Sequence, residues 1–114
     1  MIKFPYIKPE ISSEDKKRVL EVLNSDYLTQ GPMLKNLELN ISKKFKVKNT
    51  IVCNSGTSAL HLIYSSLGLN KKNGLLTSPI TFLSTANAAK MCNAPVVFAD
   101  VDENTGLLTA ETID

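Results

Sequence analysis

Residues 51–60, Ile51-Val52-Cys53-Asn54-Ser55-Gly56-Thr57-Ser58-Ala59-Leu60, read as a strand, a tight turn and the opening of a helix. The β-branched pair Ile51 and Val52 favours extended chain. Small residues follow. Leu60, Ile63, Tyr64 and Leu67 then recur at helical spacing. The turn offers backbone N–H groups and three hydroxyls at the point where the helix dipole favours an anion. Gly56 has no Cβ, so an oxyanion can approach its backbone closely. A turn rich in Ser, Gly and Thr also serves simply as a helix N-cap. By itself the stretch leaves phosphate binding and capping both open.

Strand and helix keep alternating downstream. A helix over Thr57 to Leu67 ends at Gly68, and Leu75 to Thr77 forms a strand. A helix from Ile80 or Thr81 to Cys92 is followed by a strand over Pro95 to Val101. Asn104-Thr105-Gly106 is a turn, and Thr109 begins another helix. The strands, Thr50 to Cys53 being the first, are apolar throughout. This predicts an α/β fold, a mostly parallel sheet with helices on both faces and right-handed crossovers. Three strands begin such a sheet without completing it, so the chain is expected to be part of a longer protein.

Upstream, Pro5 and Pro9 keep residues 1–11 extended. Ser12 or Ser13 starts a helix that runs to about Ser25. Ser12 and Asp15 have the spacing of a capping box, and Val19, Leu20 and Leu23 form the apolar stripe. Asp26 to Gly31 is a loop. Pro32 suits the first turn of a second helix, with Leu34, Leu37, Ile41 and Phe45 on one face.

The 114 residues are 43% hydrophobic and 21% charged, with a formal net charge of +2. That balance is ordinary for a globular chain and too mild to argue for nucleic acid. Lys3, Pro5 and Lys8 interrupt any signal-peptide core. Residues 49–70 lack charge but are too rich in Ser, Asn and Thr for a membrane span. A cytoplasmic protein is expected. Cys53 and Cys92, the two cysteines, read as buried free thiols. With one histidine and no paired-cysteine spacing, a zinc site is not expected. His61 reads as locally packed.

Further motifs surround the opening stretch. Asn24-Ser25-Asp26-Tyr27-Leu28-Thr29-Gln30-Gly31-Pro32 precedes it. Thr77-Ser78-Pro79-Ile80-Thr81-Phe82-Leu83-Ser84-Thr85-Ala86-Asn87 and Pro95-Val96-Val97-Phe98-Ala99-Asp100-Val101-Asp102 follow it. In order and spacing the set resembles the N-terminal part of the DegT/DnrJ/EryC1/StrS family of pyridoxal-phosphate-dependent nucleotide-sugar aminotransferases. The likeness covers about Tyr6 to Thr109. Within the family the chain is most similar to the C4-aminotransferases of UDP-linked 4-keto-6-deoxy-N-acetyl sugars, which include the pseudaminic-acid branch.

The resemblance implies the large domain of an aspartate-aminotransferase-like, type I fold, incomplete here. Residues 1–31 would be an N-terminal segment with the substrate loop, and residues 32–114 the start of the cofactor-binding domain. Gly56, Thr57 and Ser58 match the family's cofactor-phosphate loop, and Phe82 the aromatic stacked on the cofactor ring. Tyr6, Asp26, Tyr27, Leu28, Thr29 and Ser55 match positions toward the nucleotide-sugar. A homodimer and an amino-acid donor, glutamate, are implied as well. The residues alone leave blander readings open: Phe82 as core, Tyr6 as a tethered aromatic, Asp26 to Pro32 as an ordinary loop. Lys71-Lys72-Asn73-Gly74 departs from the family, which usually has an acidic residue there. The family's cofactor-bearing lysine falls beyond residue 114, and none of Lys71, Lys72 or Lys90 matches it. A phosphate-ligand binding module, or a non-catalytic remnant, is the rival reading.

Overall fold

The computed structural model describes residues 7–113, in two compact units divided between Val52 and Cys53. In the first unit, α1 spans Ser13–Leu23 and α2 spans Pro32–Phe45. The Ser12 hydroxyl accepts the Asp15 N–H at 3.1 Å, and Asp15 Oδ2 accepts the Ser12 N–H at 2.8 Å. Both halves of the expected capping box are therefore made. Beyond α1, the Ser25 hydroxyl donates to Val22 O at 2.8 Å and accepts the Tyr27 N–H at 3.2 Å. Gly31 is required by close approach, because a Cβ there would lie 2.6 Å from Tyr27 Cβ. Pro32 occupies the first turn of α2, as expected.

Leu34, Leu37, Ile41 and Phe45 recur on one face of α2; Ile41 is half-buried, with Glu38 and Ser42, while Leu34, Leu37 and Phe45 are exposed. Ser42 Oγ and Thr50 Oγ1 are 2.7 Å apart, and Glu38 Oε1 accepts the Val52 N–H at 3.1 Å. One expectation fails in this unit. The strand expected over Thr50 to Cys53 has no regular secondary structure and no ladder. A strand needs a neighbour to exchange N–H and C=O groups, and among the described residues none lies beside it.

The second unit contains α3 (Gly56–Ser66), β1 (Leu75–Thr77), α4 (Ser84–Met91) and β2 (Val96–Phe98). β1 and β2 pair in parallel, Leu75 opposite Val96 and Thr77 opposite Phe98. α4 crosses between them and packs on both strands and on α3. Small side chains permit this approach on two sides: Ala88 and Ala89 are fully buried, and Ser84 and Ala94 nearly so. Gly68, at φ 77°, ends α3 as expected, while Leu69 N donates to Tyr64 O at 3.0 Å. A Cβ at Gly74 would stand 2.8 Å from Pro95 O, where Leu75 N begins the ladder at 2.9 Å.

α4 starts at Ser84 rather than at Ile80 or Thr81. The Ser78 hydroxyl accepts the Ile80 N–H at 2.9 Å and holds a turn over those residues. Residues from Thr109 form i-to-i+3 turns, such as Thr112 N to Thr109 O at 3.3 Å, and not the expected helix. Cys53 and Cys92 are free but only half-buried, because the core of this unit is built from small residues on α4. Alternation along the strands puts Leu76 and Val97 on the opposite face from Leu75 and Val96, and both are exposed. Among the described residues no helix is long and apolar enough to cross a membrane.

Candidate functional site

Ser55 is the N-cap of α3, with extended backbone at φ −158° and ψ 160°. Its hydroxyl accepts the Ser58 N–H at 3.1 Å, and its carbonyl accepts the Ala59 N–H at 3.1 Å. Two of the orphan donors of the first turn are thereby satisfied. Among the described residues the N–H groups of Gly56 and Thr57 and the Thr57 hydroxyl have no partner. Space beside Gly56 is open, since a Cβ there would meet nothing within 4 Å. The amino end of an 11-residue helix thus presents two free amides and a hydroxyl beside an unobstructed backbone. That arrangement suits a phosphate.

Ser55 and Ser58 are tied to each other. Ser55 Oγ donates to Ser58 Oγ at 3.0 Å, and Ser58 Oγ donates to Asn54 Oδ1 at 2.7 Å. Asn54 had no assigned role in the sequence. Its signal was the Asx side chain one residue before the cap, in a position to accept from within the turn.

Phe82 lies in the connection that leaves the carboxyl end of β1, two residues before α4. It is 77% exposed, and its apolar neighbours Ile80 and Leu83 are exposed to a similar degree. Cys92, at the carboxyl end of α4, lies 3.4 Å from Ser65 Oγ in the last turn of α3, and 4.0 Å from His61 O. The helices α3 and α4 are therefore in contact near their carboxyl ends.

In the first unit, Tyr27 and Leu28 line a largely apolar groove of about 490 Å³ between α1 and α2, with Val22, Met33 and Leu37 among its other walls. Asp26 and Thr29 are exposed and are not part of its lining. Tyr6 lies outside the described residues. Glu38, whose carboxylate holds the Val52 N–H, was not foreseen either. Among the described residues no cluster of His, Cys, Asp and Glu could hold a metal.

Comparison with known proteins gives the chain a family. The profile of the DegT/DnrJ/EryC1/StrS aminotransferase family matches residues 9–114. The chain is 39% identical over 101 residues to the spore coat polysaccharide biosynthesis protein SpsC of Bacillus subtilis, covering 89% of this chain and 26% of SpsC. It is 40% identical over 103 residues to the UDP-4-amino-4,6-dideoxy-N-acetyl-beta-L-altrosamine transaminase of Helicobacter pylori, covering 89% and 28%. The structure of Helicobacter pylori PseC, an aminotransferase involved in the biosynthesis of pseudoaminic acid, matches 87% of this chain and 27% of its own length. Its TM-score is 0.80, at 40% identity. The E. coli GDP-4-keto-6-deoxy-D-mannose-3-dehydratase with bound hydrated PLP matches 99% of this chain and 31% of its own, with a TM-score of 0.84 at 25% identity. The chain spans about a quarter of the length of the curated relatives it matches.

Proposed function

Because this chain belongs to the DegT/DnrJ/EryC1/StrS aminotransferase family, we propose that it forms the cofactor-phosphate part of a pyridoxal-phosphate-dependent aminotransferase. The reaction is amino transfer from glutamate to C4 of a UDP-linked 4-keto-6-deoxy-N-acetyl sugar, in the biosynthesis of a surface glycan such as pseudaminic acid. The family relatives named as sugar transaminases support the substrate class. The observation that carries the reading is the open amino end of α3, with the unpartnered amides of Gly56 and Thr57.

A pyridoxal phosphate fits these residues. The amides of Gly56 and Thr57, with the Thr57 hydroxyl, would hold its phosphate. Ser58 keeps the turn in shape through Ser55 and Asn54. Phe82, which is exposed, would supply an aromatic wall for the ring. When bound, the cofactor supplies the electron sink for moving the amino group. Orienting its ring against Phe82 sets which substrate bond lies where reaction can occur. Tyr6, Asp26, Tyr27, Leu28, Thr29 and Ser55 would face the nucleotide-sugar, so residues 1–31 act as the substrate segment and residues 32–114 open the cofactor domain. The enzyme works in the cytoplasm as a homodimer with its sites at the subunit interface.

The test is amino-sugar formation by the full-length protein with pyridoxal phosphate, glutamate and a UDP-4-keto-6-deoxy-N-acetyl sugar. Product that depends on the cofactor is expected. The 114-residue chain alone should form none, because the family's cofactor-bearing lysine matches no position in it. A full-length protein that binds pyridoxal phosphate but aminates no UDP-linked keto-sugar would leave only a phosphate-binding module.

A further inference from the structure

Three side chains at the start of α3 are joined in a relay with a definite sense. Ser55 Oγ donates to Ser58 Oγ at 3.0 Å, and Ser58 Oγ donates to Asn54 Oδ1 at 2.7 Å. Ser55 Oγ in turn accepts the Ser58 N–H at 3.1 Å. All three residues lie in the second unit, as does the turn they form. A hydroxyl both donates and accepts, so a pair of serines alone can run either way. An amide oxygen only accepts. Asn54 Oδ1 therefore ends the relay and sets its direction.

That direction decides which groups remain for a ligand. The one hydroxyl hydrogen of Ser58 is committed to Asn54, and that of Ser55 to Ser58. Ser55 Oγ is left as the acceptor that caps α3. Neither serine has a hydroxyl hydrogen to offer an anion. The groups without a partner stand between them in sequence: the Gly56 and Thr57 amides and the Thr57 hydroxyl. Without the Asn54 carbonyl, an acceptor within reach of the Ser58 hydrogen is Ser55 Oγ, 3.0 Å away. There it competes with the Ser58 N–H for the oxygen that caps the helix. Gly56 and Thr57 are the two residues spanned by that cap, so their amides lose their fixed direction with it.

We propose that Asn54 is a positioning residue for the cofactor phosphate: by taking the Ser58 hydroxyl hydrogen it fixes the relay, and it leaves the phosphate to the Gly56 and Thr57 amides and the Thr57 hydroxyl. The inference rests on the phosphate reading given above. Ser58 then acts by holding the turn and not as a phosphate donor. Hydrogen bonds to a phosphate depend on distance and angle, so two misdirected amides register as lost affinity for the phosphate.

The experiment uses the full-length protein and two probes, pyridoxal 5′-phosphate and pyridoxal, which differ only in the phosphate. Asn54→Ala should weaken pyridoxal phosphate by about twofold to tenfold, the scale of one hydrogen bond, and leave pyridoxal affinity unchanged. Ser58→Ala keeps the backbone N–H that Ser55 caps and has no hydroxyl to misdirect, so it should weaken pyridoxal phosphate by no more than about twofold. Asn54→Ala made in Ser58→Ala should then add nothing. Where Asn54→Ala does not fold, Asn54→Leu, close in volume and without an acceptor, replaces it. A Ser58→Ala loss of about tenfold or more would make Ser58 a phosphate donor and overturn the proposal. So would an Asn54 variant that binds pyridoxal phosphate more tightly, equal weakening of both probes, or losses that add in the double variant. If wild type itself does not distinguish the probes, the phosphate reading fails first and this inference with it. If wild type distinguishes them and every variant does so equally, only the role of Asn54 falls.

Discussion

The Ser58 hydroxyl donates to Asn54 Oδ1 across 2.7 Å while Ser58 N donates to Ser55 Oγ at 3.1 Å. Ser58 is thus held at both its polar groups by the two residues that open the turn. Ser55 provides the cap, so Ser55→Ala should lower the stability of the full-length protein by about 1 kcal/mol. Asn54→Ala should lower it by less, because the freed Ser58 hydroxyl lies at an exposed position and turns to water. Thermal melts of the two variants check the order. An Asn54→Ala melt depressed more than that of Ser55→Ala would mean that Asn54, and not Ser55, organises the turn.

Phe82 lies outside the helices, in the connection between β1 and α4. If its ring stacks on the cofactor, Phe82→Ala in the full-length protein should weaken the cofactor more than it lowers stability. Aromatic stacking is worth about 0.5–1.5 kcal/mol beyond area burial, which is up to about tenfold in affinity. Phe82→Trp should be tolerated. Equal cofactor affinity in wild type and Phe82→Ala would remove the ring from the site.

The capping box of α1 makes a pH prediction. Hydrogen bonds from the Ser12 hydroxyl, then from the Ser12 backbone, hold the Asp15 carboxyl below its ordinary value of 3.8. A carboxyl depressed in the folded state contributes stability above its unfolded pKa and loses it as pH falls through the folded one. Acidification should therefore unravel the amino end of α1 from just below the ordinary carboxylate range downward. Asp15→Asn should remove that part of the acid transition. The readout is helical circular dichroism against pH in both proteins, and superimposable acid limbs would show that the box carries no such linkage.

Where a local signal sufficed, the fold was legible. Ser12 with Asp15, Pro32 and Gly68 mark helix ends through their own side chains or backbone freedom, and each stands at the expected boundary; α3 begins at Gly56, capped by Ser55, one residue ahead of the expected Thr57. The strand at Thr50 to Cys53 was not legible as it stands, because pairing is a property of two segments and Val52 found Glu38 instead of a ladder. The apolar face of α2, with Leu34, Leu37, Ile41 and Phe45, was readable from spacing, whereas the hydrogen bonds of Glu38 and Ser42 carried no mark in sequence. The turn that opens α3 was readable because Ser, Gly and Thr act within a few residues of one another. Cys92 and Ser65, 27 residues apart, carry no mark in sequence of the packing that joins α3 to α4.

The 114-residue chain by itself should be poorly ordered. Its buried apolar residues in the second unit are Ala88, Ala89 and Ala94, whereas Leu76, Val97 and Phe98 on the strands are exposed. Alanines offer little apolar area, and an uncovered strand pair invites association. Expected are binding of a hydrophobic dye, a broad thermal transition and concentration-dependent aggregation. A sharp, concentration-independent melt of a monomer would show that the two-stranded unit stabilises itself.

The phosphate turn separates capping from ligand binding most directly. Ser55, and not Thr57, caps α3, since Ser55 Oγ takes the Ser58 N–H at 3.1 Å. Thr57→Ala should therefore leave the melt of the cofactor-free full-length protein nearly unchanged. If the Thr57 hydroxyl binds phosphate, its removal deletes a hydrogen bond to a charged group, and cofactor affinity should fall by about 1.5–3 kcal/mol. Gly56→Val should be worse. A Cβ at position 56 meets nothing within 4 Å and Val is no worse a helix former than Gly, so the fold should tolerate it, yet it fills the space through which the phosphate would reach the Gly56 and Thr57 amides. Gly56→Ala, with a single methyl, should fall between wild type and Val. Cofactor titration and melting of the same four proteins decide the matter. Affinity falling in the order wild type, Ala, Val at position 56, with little change in the cofactor-free melts, is expected. Unchanged affinity throughout would leave the turn as the cap of α3 and nothing more.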